Sequence, residues 1–433
     1  MANADTSRDL RRTIRVGGAL AALSGAMLLH LERQRGVPVW NSLWAEDGRV
    51  FLSGAIQNFR GTFFEPNGGY IHVVPRVIAG VVAALPVKDA ALGMAVGATA
   101  VVALIAGFVY VASSEVLESR TARLALAAAV LLVPVPGPEL LANTTNLHFY
   151  LLFACFWALV WQSETAVAVG SRATVVVATA LSDPLSALFL PLAIVAPIAR
   201  RSIRALVVSG ALLATLVVQF AFIWGGARPE RNWGFRLGAL SDIFSLRVAG
   251  GLLVGDRFLG EAWADLGRTF AYGALLLVIS VIAVLMLRSD PRTAAFALMS
   301  LSYAGLFFCV QLAGRGTGGM DPDLHGARLT GARYILLPFL LMTTVILALV
   351  DRAHGHRSSS GWVWVRRAAL LWLVALLAVN YSVTSDRSRG PRWDRELTDA
   401  RTMCATTDRR SARVLVAPSP PRVWFATIPC RRI

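Results

Sequence analysis

The sequence predicts an all-α polytopic membrane protein with about eleven transmembrane helices, interfacial helices in the first external loop and a small α+β external tail. Three observations carry this. The 433 residues are 56% hydrophobic and only 16% charged, against about 25% charged in an ordinary soluble chain. The missing charge is concentrated in apolar runs near 16–31, 92–112, 121–137, 146–162, 172–182, 184–198, 204–225, 270–288, 293–313, 333–351 and 368–384. Arginines cluster between those runs, as the positive-inside rule requires of cytoplasmic loops.

The run at 16–31 has basic flanks but no A-x-A cleavage site, so it reads as a retained first helix. Arg8, Arg11, Arg12 and Arg15 place its start inside. Residues 70–85, "YIHVVPRVIAGVVAAL", carry Arg76, which a lipid-exposed span would bury at a cost of about 2.5–3.5 kcal/mol. Counting them as a span would also put Arg120 and Arg123 outside, so they read as an interfacial helix. Between Arg172 and Arg200 an even number of crossings is needed, which makes two short helices meeting at Asp183-Pro184. Arg200, Arg201 and Arg204, then Arg288 and Arg292, then Arg352, Arg357, Arg366 and Arg367 complete the inner clusters. The N-terminus falls inside and the C-terminus outside.

Four segments remain on the outer side: 32–91, 226–269, 314–332 and the tail. Residues 1–385 form the membrane module and 386–433 the tail. The 226–269 segment holds a glycine-rich apolar run that either dips into the outer leaflet or forms a surface helix covering the bundle. The tail reads as a helix, "PRWDRELTDARTMC", then two strands, "RVLVAP" and "RVWFATIP", around a Ser-Pro-Pro turn. Cys404 and Cys430 bracket it and would pair in an oxidising exterior. Cys155 and Cys309 lie in apolar runs as packing residues.

A net charge of +16 raises nucleic acid as a partner. The arginines, however, sit at the ends of apolar runs rather than along one soluble face, so none is expected. Lys88 is the single lysine.

The most informative stretch is "NSLWAEDGRVFLSGA", residues 41–55. Glu46 and Asp47 open an amphipathic pattern continued by Phe51, Leu52, Ala55 and Ile56, which predicts a helix on the membrane surface with its acids at the N-terminal end. Trp40 and Trp44 precede it as headgroup anchors. Tyr70, His72 and Arg76 bring rings and a cation to the same interface, a set suited to a polar group beside a lipid phosphate.

This layout resembles the GT-C class of membrane glycosyltransferases, which take sugars from polyprenyl-phosphate carriers. The matching motif is D-E-x-x-Y-x-x-x-A; here "DGRVFLSGA" supplies Asp47, Phe51 and Ala55. The acidic order is Glu-Asp rather than Asp-Glu, so either Glu46 or Asp47 takes the place of the catalytic acid. "GGYIHVVPR" stands where many members have Pro-Pro-Leu.

The resemblance implies an inverting transfer on the extracytoplasmic face of a bacterial inner membrane. The donor is a polyprenyl-phosphate-linked sugar and the acceptor an envelope glycan or glycolipid. A general base contributes about 10²–10⁴ in rate, and a cation must stabilise the leaving phosphate. Arg333, in "GARYILLP", is the first choice for that cation, with an interfacial anchor beside Tyr334 as the alternative; Arg76 and His72 are further donor-phosphate candidates. Tyr70, Tyr334, Asn146, His148 and Asp183 are substrate-binding candidates. Asn146 could equally start a helix and Asp183 cap one. Asp321, Asp323 and His325, in "GGMDPDLHGAR", are read as a gate loop; no cofactor is assigned, and a divalent metal is left open. The rival classes are a transporter or flippase of a lipid-linked intermediate and a non-catalytic assembly protein. No internal repeat favours the former.

Overall fold

The computed structural model describes residues 2–135, 137, 139–225, 234–325, 331–352, 360–418 and 423–433, without the side chains of 2–16, 324, 325 and 360. The side chains of the Arg8–Arg15 cluster and of His325, together with Arg357 and the Ser-Pro-Pro turn, lie outside what is described.

The chain is mostly helical. Among the described residues seven helices are long and apolar enough to cross a membrane: Val87–Glu115, Ile203–Gly225, Leu237–Val254, Asp256–Leu287, Pro291–Arg315, Ala332–Asp351 and Gly361–Val379. Their outward faces expose Leu104, Leu206, Val217, Leu276 and Leu371. Contiguous apolar surface of this kind needs lipid as its solvent. The remaining predicted spans form shorter helices, Gly17–Leu31, Leu147–Val160, Ala166–Ala180 and Pro184–Arg200, and Arg120–Leu131.

The 172–198 region is broken where the sequence places the break. Helix Ala166–Ala180 ends, Asp183 caps a short 3-10 turn over Pro184–Phe189, and helix Leu190–Arg200 follows. Likewise 70–85 contains one short helix, Val73–Ala83, with Arg76 buried.

Two central helices carry the core. Leu147–Val160 is buried at every position; at 1.5 Å per residue its 14 residues reach about 21 Å, short of a bilayer core of about 30 Å. Ala332–Asp351 packs against it and is also almost wholly buried. The outer helices screen both from lipid.

The 226–269 segment differs from the loop expected. Its described part is a helix over Leu237–Val254, π-wound in the middle, followed by Asp256–Leu287, which kinks at Gly267. Charges at Arg236, Asp242, Arg247 and Asp256 interrupt the apolar pattern and hide the length of this helix, for which the sequence offers a surface helix only as one of two alternatives. Despite its length, it begins and ends on one face of the molecule. Arg236 bonds Thr317 and Asp321, in the segment that leads into Arg333. Asp256 bonds Pro134 and Gly137, in the segment that carries Glu139. Arg333 and Glu139 meet, so both ends share the face that holds the acidic loop.

The tail folds onto that same face. Helix Trp393–Thr406 packs against β1 (Ser411–Val416), which pairs antiparallel with β2 (Trp424–Pro429). Alternation along the strands turns Ala412, Val414, Val416, Ala426 and Ile428 inward, as a period of two requires. A disulfide joins Cys404 and Cys430, with Cα atoms 5.6 Å apart.

These residues share one core with Phe51, Leu52 and Ala55 of the first loop. The amphipathic stretch therefore buries its apolar face under the tail, not in the membrane surface as expected. Two strands and one helix have too little apolar area to stand alone, and the loop supplies the missing half. Trp44, expected at headgroup depth, is buried against Ala417 for the same reason.

Candidate functional site

The acidic loop is held from three directions. The tail fixes its entry: Ala45 donates to Ala417 O and Ala417 to Leu43 O. Gly48 passes so close to β1 that a Cβ there would lie 2.9 Å from Val416 Cγ1, so this approach requires glycine. Asp47–Leu52 winds as a π-helix, and the Ser53 hydroxyl donates to Gly48 O. Single π turns concentrate at functional sites.

Asp47 is almost fully buried, and four donors converge on it. Thr144 N–H reaches Oδ2 at 2.9 Å; the Thr144 hydroxyl, Thr145 N–H and Thr145 hydroxyl reach Oδ1 at 2.7, 2.8 and 2.6 Å. The carboxylate thus ties the first loop to the "NTTN" segment at the mouth of the buried helix. Ala45 and Ala142, which precede the two halves of this junction, both have positive φ, a conformation unfavourable for alanine that the surroundings must enforce. Ala142 N–H is bound by His30 Nε2. Arg387 of the tail, fully buried, donates to Ser42 Oγ and to the carbonyls of Val39, Ser42, Leu141 and Ala142. Burial pulls its pKa down to about 10, with Asp47 acting in the opposite sense.

Glu46 is in a different situation. It is half-buried, and its pKa is raised by burial, with Arg333 opposing that rise and Asp47 and Glu139 adding to it. Arg333, at the start of span Ala332–Asp351, lies 3.5 Å from Glu139 and over the ring of Tyr334 at 5.0 Å. Glu46, Glu139 and Arg333 therefore form one electrostatic group, and each keeps some solvent exposure.

A row of rings runs away from it. Tyr334 meets Phe149 edge-on at 5.7 Å, Phe149 lies beside His148 at 4.1 Å, and His148 faces His72 at 5.5 Å and Tyr70 at 6.2 Å. Tyr70 and His72 lie 4.3 Å apart. His148 Nδ1 is 2.6 Å from Asp183 Oδ2, both residues being buried. Asp183 Oδ1 accepts Leu185 N–H, so this residue caps its turn and holds the imidazole at once.

Other predicted residues are engaged in structure. Arg76 is occupied by the carbonyls of Val50 and Glu65 and stacks on Phe51 at 5.1 Å. His72 Nε2 bonds Asn67 O, and burial, together with His148 and Arg76, pushes its pKa well below the usual imidazole value. Asn146 closes its own loop by donating to Glu139 O. Asp321 pairs with Arg236, while Asp323 lies against Arg268, which also binds Asp242. That network ties the segment holding Asp321 and Asp323 to helices Leu237–Val254 and Asp256–Leu287. Among the described residues no group of three or more His, Cys, Asp or Glu side chains is placed to hold a metal.

The sequence reading missed Glu139, the Thr144-Thr145 pair and Arg387. The run of four small polar residues before "LHFYLL" was the available signal for the threonines, since such a run has no reason to enter a membrane core unless it binds something. Arg387 carried no signal of its own.

No family model matches the chain, and no curated protein matches it. Among solved structures it is similar to an oligosaccharyltransferase of Archaeoglobus fulgidus, crystallised with zinc and sulfate, at 13% identity and a TM-score of 0.42. The match covers 90% of this chain and 56% of that one, so this chain spans about half the length of its neighbour. No residue role is carried over from it.

Proposed function

We propose that the protein transfers a sugar from a polyprenyl-phosphate carrier to a glycan or lipid acceptor, at the face of the membrane where the acidic loop and the tail lie. The observation that carries this reading is Arg333. It is a cation at the mouth of a buried span, flanked by Glu46 and Glu139, with a row of rings and an Asp-His pair beyond it. A fixed cation at such a place would hold the phosphate of a lipid carrier and stabilise it as it leaves. The rings offer apolar faces to a sugar, and the Asp-His pair offers polar atoms.

In this reading Asp47 positions the loop, because both its oxygens are already taken. The groups free to accept the acceptor's proton are Glu46 and His148. The test is release of polyprenyl phosphate from a polyprenyl-phosphoryl sugar by the full-length protein in nanodiscs. Arg333→Ala should lower it by about 10²–10³, the usual loss when one charge-stabilising group is removed. An Arg333→Ala variant as fast as the wild type would remove this reading.

A further inference from the structure

The two candidate bases are not equivalent. Glu46 sits in the field of Arg333, on the side where the leaving phosphate would bind. His148 stands further along the ring row, beyond Tyr334 and Phe149. An inverting displacement needs the base opposite the leaving group, and the sugar must fit between them.

The local chemistry points the same way. Asp183 holds Nδ1 at 2.6 Å, which fixes the proton there and leaves the lone pair on Nε2. Asp183 is itself oriented by Leu185 N–H. Nε2 makes no hydrogen bond among the described residues, although His148 is only 5% exposed. A buried imidazole with a carboxylate behind it and an unoccupied nitrogen in front is built to take a proton. The ionisable groups around it are Asp183 behind, Tyr70 and His72 from the first loop, and Tyr334, Arg333 and Arg315 within electrostatic reach of Tyr70. His72 is held neutral by its burial, so it does not compete for the proton.

We infer that His148, oriented by Asp183, is the general base that takes the proton of the acceptor hydroxyl. The inference rests on the glycosyl-transfer reading above. The acceptor O–H proton passes to Nε2 while the acceptor oxygen bonds the anomeric carbon. The bond from that carbon to the phosphate oxygen breaks, and its electron pair leaves with the polyprenyl phosphate. The imidazolium is stabilised by Asp183 until the proton passes to water.

The experiment measures transfer from a panel of farnesyl-phosphoryl pentoses and hexoses to alkyl glycosides, using the full chain in nanodiscs from pH 5 to 9. The wild-type rate should rise with pH and level off once the imidazole is neutral. His148→Gln should lower it by about 10²–10⁴. Asp183→Asn removes the stabilising charge and should move the inflection to lower pH, a shift that a merely structural role would not produce. Glu46→Gln should change the rate but leave the inflection in place. The assignment is overturned if His148→Gln stays within about threefold of wild type, well short of a base's contribution, or if Glu46→Gln abolishes the inflection. Should His148→Gln fail to elute as a folded protein, the Asp183→Asn inflection decides. A wild type that releases no farnesyl phosphate from any donor would instead remove the transfer reading, and the base assignment with it.

Discussion

Replacing Asp47 by Asn separates positioning from proton transfer. The Asn carbonyl can occupy the place of Oδ1 and keep the three donors there, but its NH₂ then faces Thr144 N–H where Oδ2 accepted at 2.9 Å. One buried N–H is left without an acceptor, which costs about 1–3 kcal/mol. The three surviving bonds lose their charge and roughly half their strength, adding about 0.5–1 kcal/mol each. The sum is about 2.5–6 kcal/mol, enough to loosen the junction between the first loop and the buried helix. Thermal unfolding in detergent reads the loss, and Thr144→Val combined with Asp47→Asn should cost less than the two single losses added, because the partners are shared. Transfer should fall in proportion to the loosened site. An Asp47→Asn protein as stable as the wild type but devoid of transfer would refute the positioning role and return Asp47 to the chemistry.

Arg387→Ala should destabilise by roughly 3–5 kcal/mol, since several buried acceptors lose a charged donor at once; Arg387→Lys should not restore it, because a lysine cannot reach both loops with a planar fork. Thermal unfolding checks both, and a rescue by lysine would contradict the geometry. Glu46→Gln should raise the melting temperature near neutral pH. The folded pKa of Glu46 lies above its ordinary 4.5, so its favourable contribution is present in acid and lost as pH climbs from 4.5 through the raised value. The gain should therefore vanish in acid, and a gain independent of pH would contradict the burial argument. Replacing Cys404 and Cys430 by Ser should cost about 3.5 kcal/mol for a loop of this length and release the tail from the first loop, seen as faster proteolysis near β1; unchanged proteolysis would show that packing alone holds it.

The apolar runs and arginine clusters made the membrane character and most helices legible, because burial in lipid leaves an unbroken signal. The break at Asp183-Pro184 was equally plain, since proline and an acid cannot both lie inside a helix unnoticed. Helix Leu237–Val254 was legible only as one of two alternatives, a surface helix over the bundle or a dip into the leaflet: its charges pair with Arg268, Tyr272 and Asp321 in space, and sequence shows the charges without the partners. The acidic loop was found, but its division of labour was not. Asp47 and Glu46 are neighbours in sequence, yet the first is tied to residues 97 and 98 positions away and the second faces the field of Arg333. The tail's strands could be read, whereas the shared core that makes them part of the loop depends on long-range contacts that no local pattern encodes.

The most direct test of the account is a density map of the full chain in nanodiscs with farnesyl phosphate bound. The account predicts phosphate oxygens about 2.7–2.9 Å from the Arg333 guanidinium, the farnesyl chain running into the bilayer, and His148 across the gap left for the sugar. A phosphate seated on another cation, with Arg333 still paired to Glu139, would contradict it.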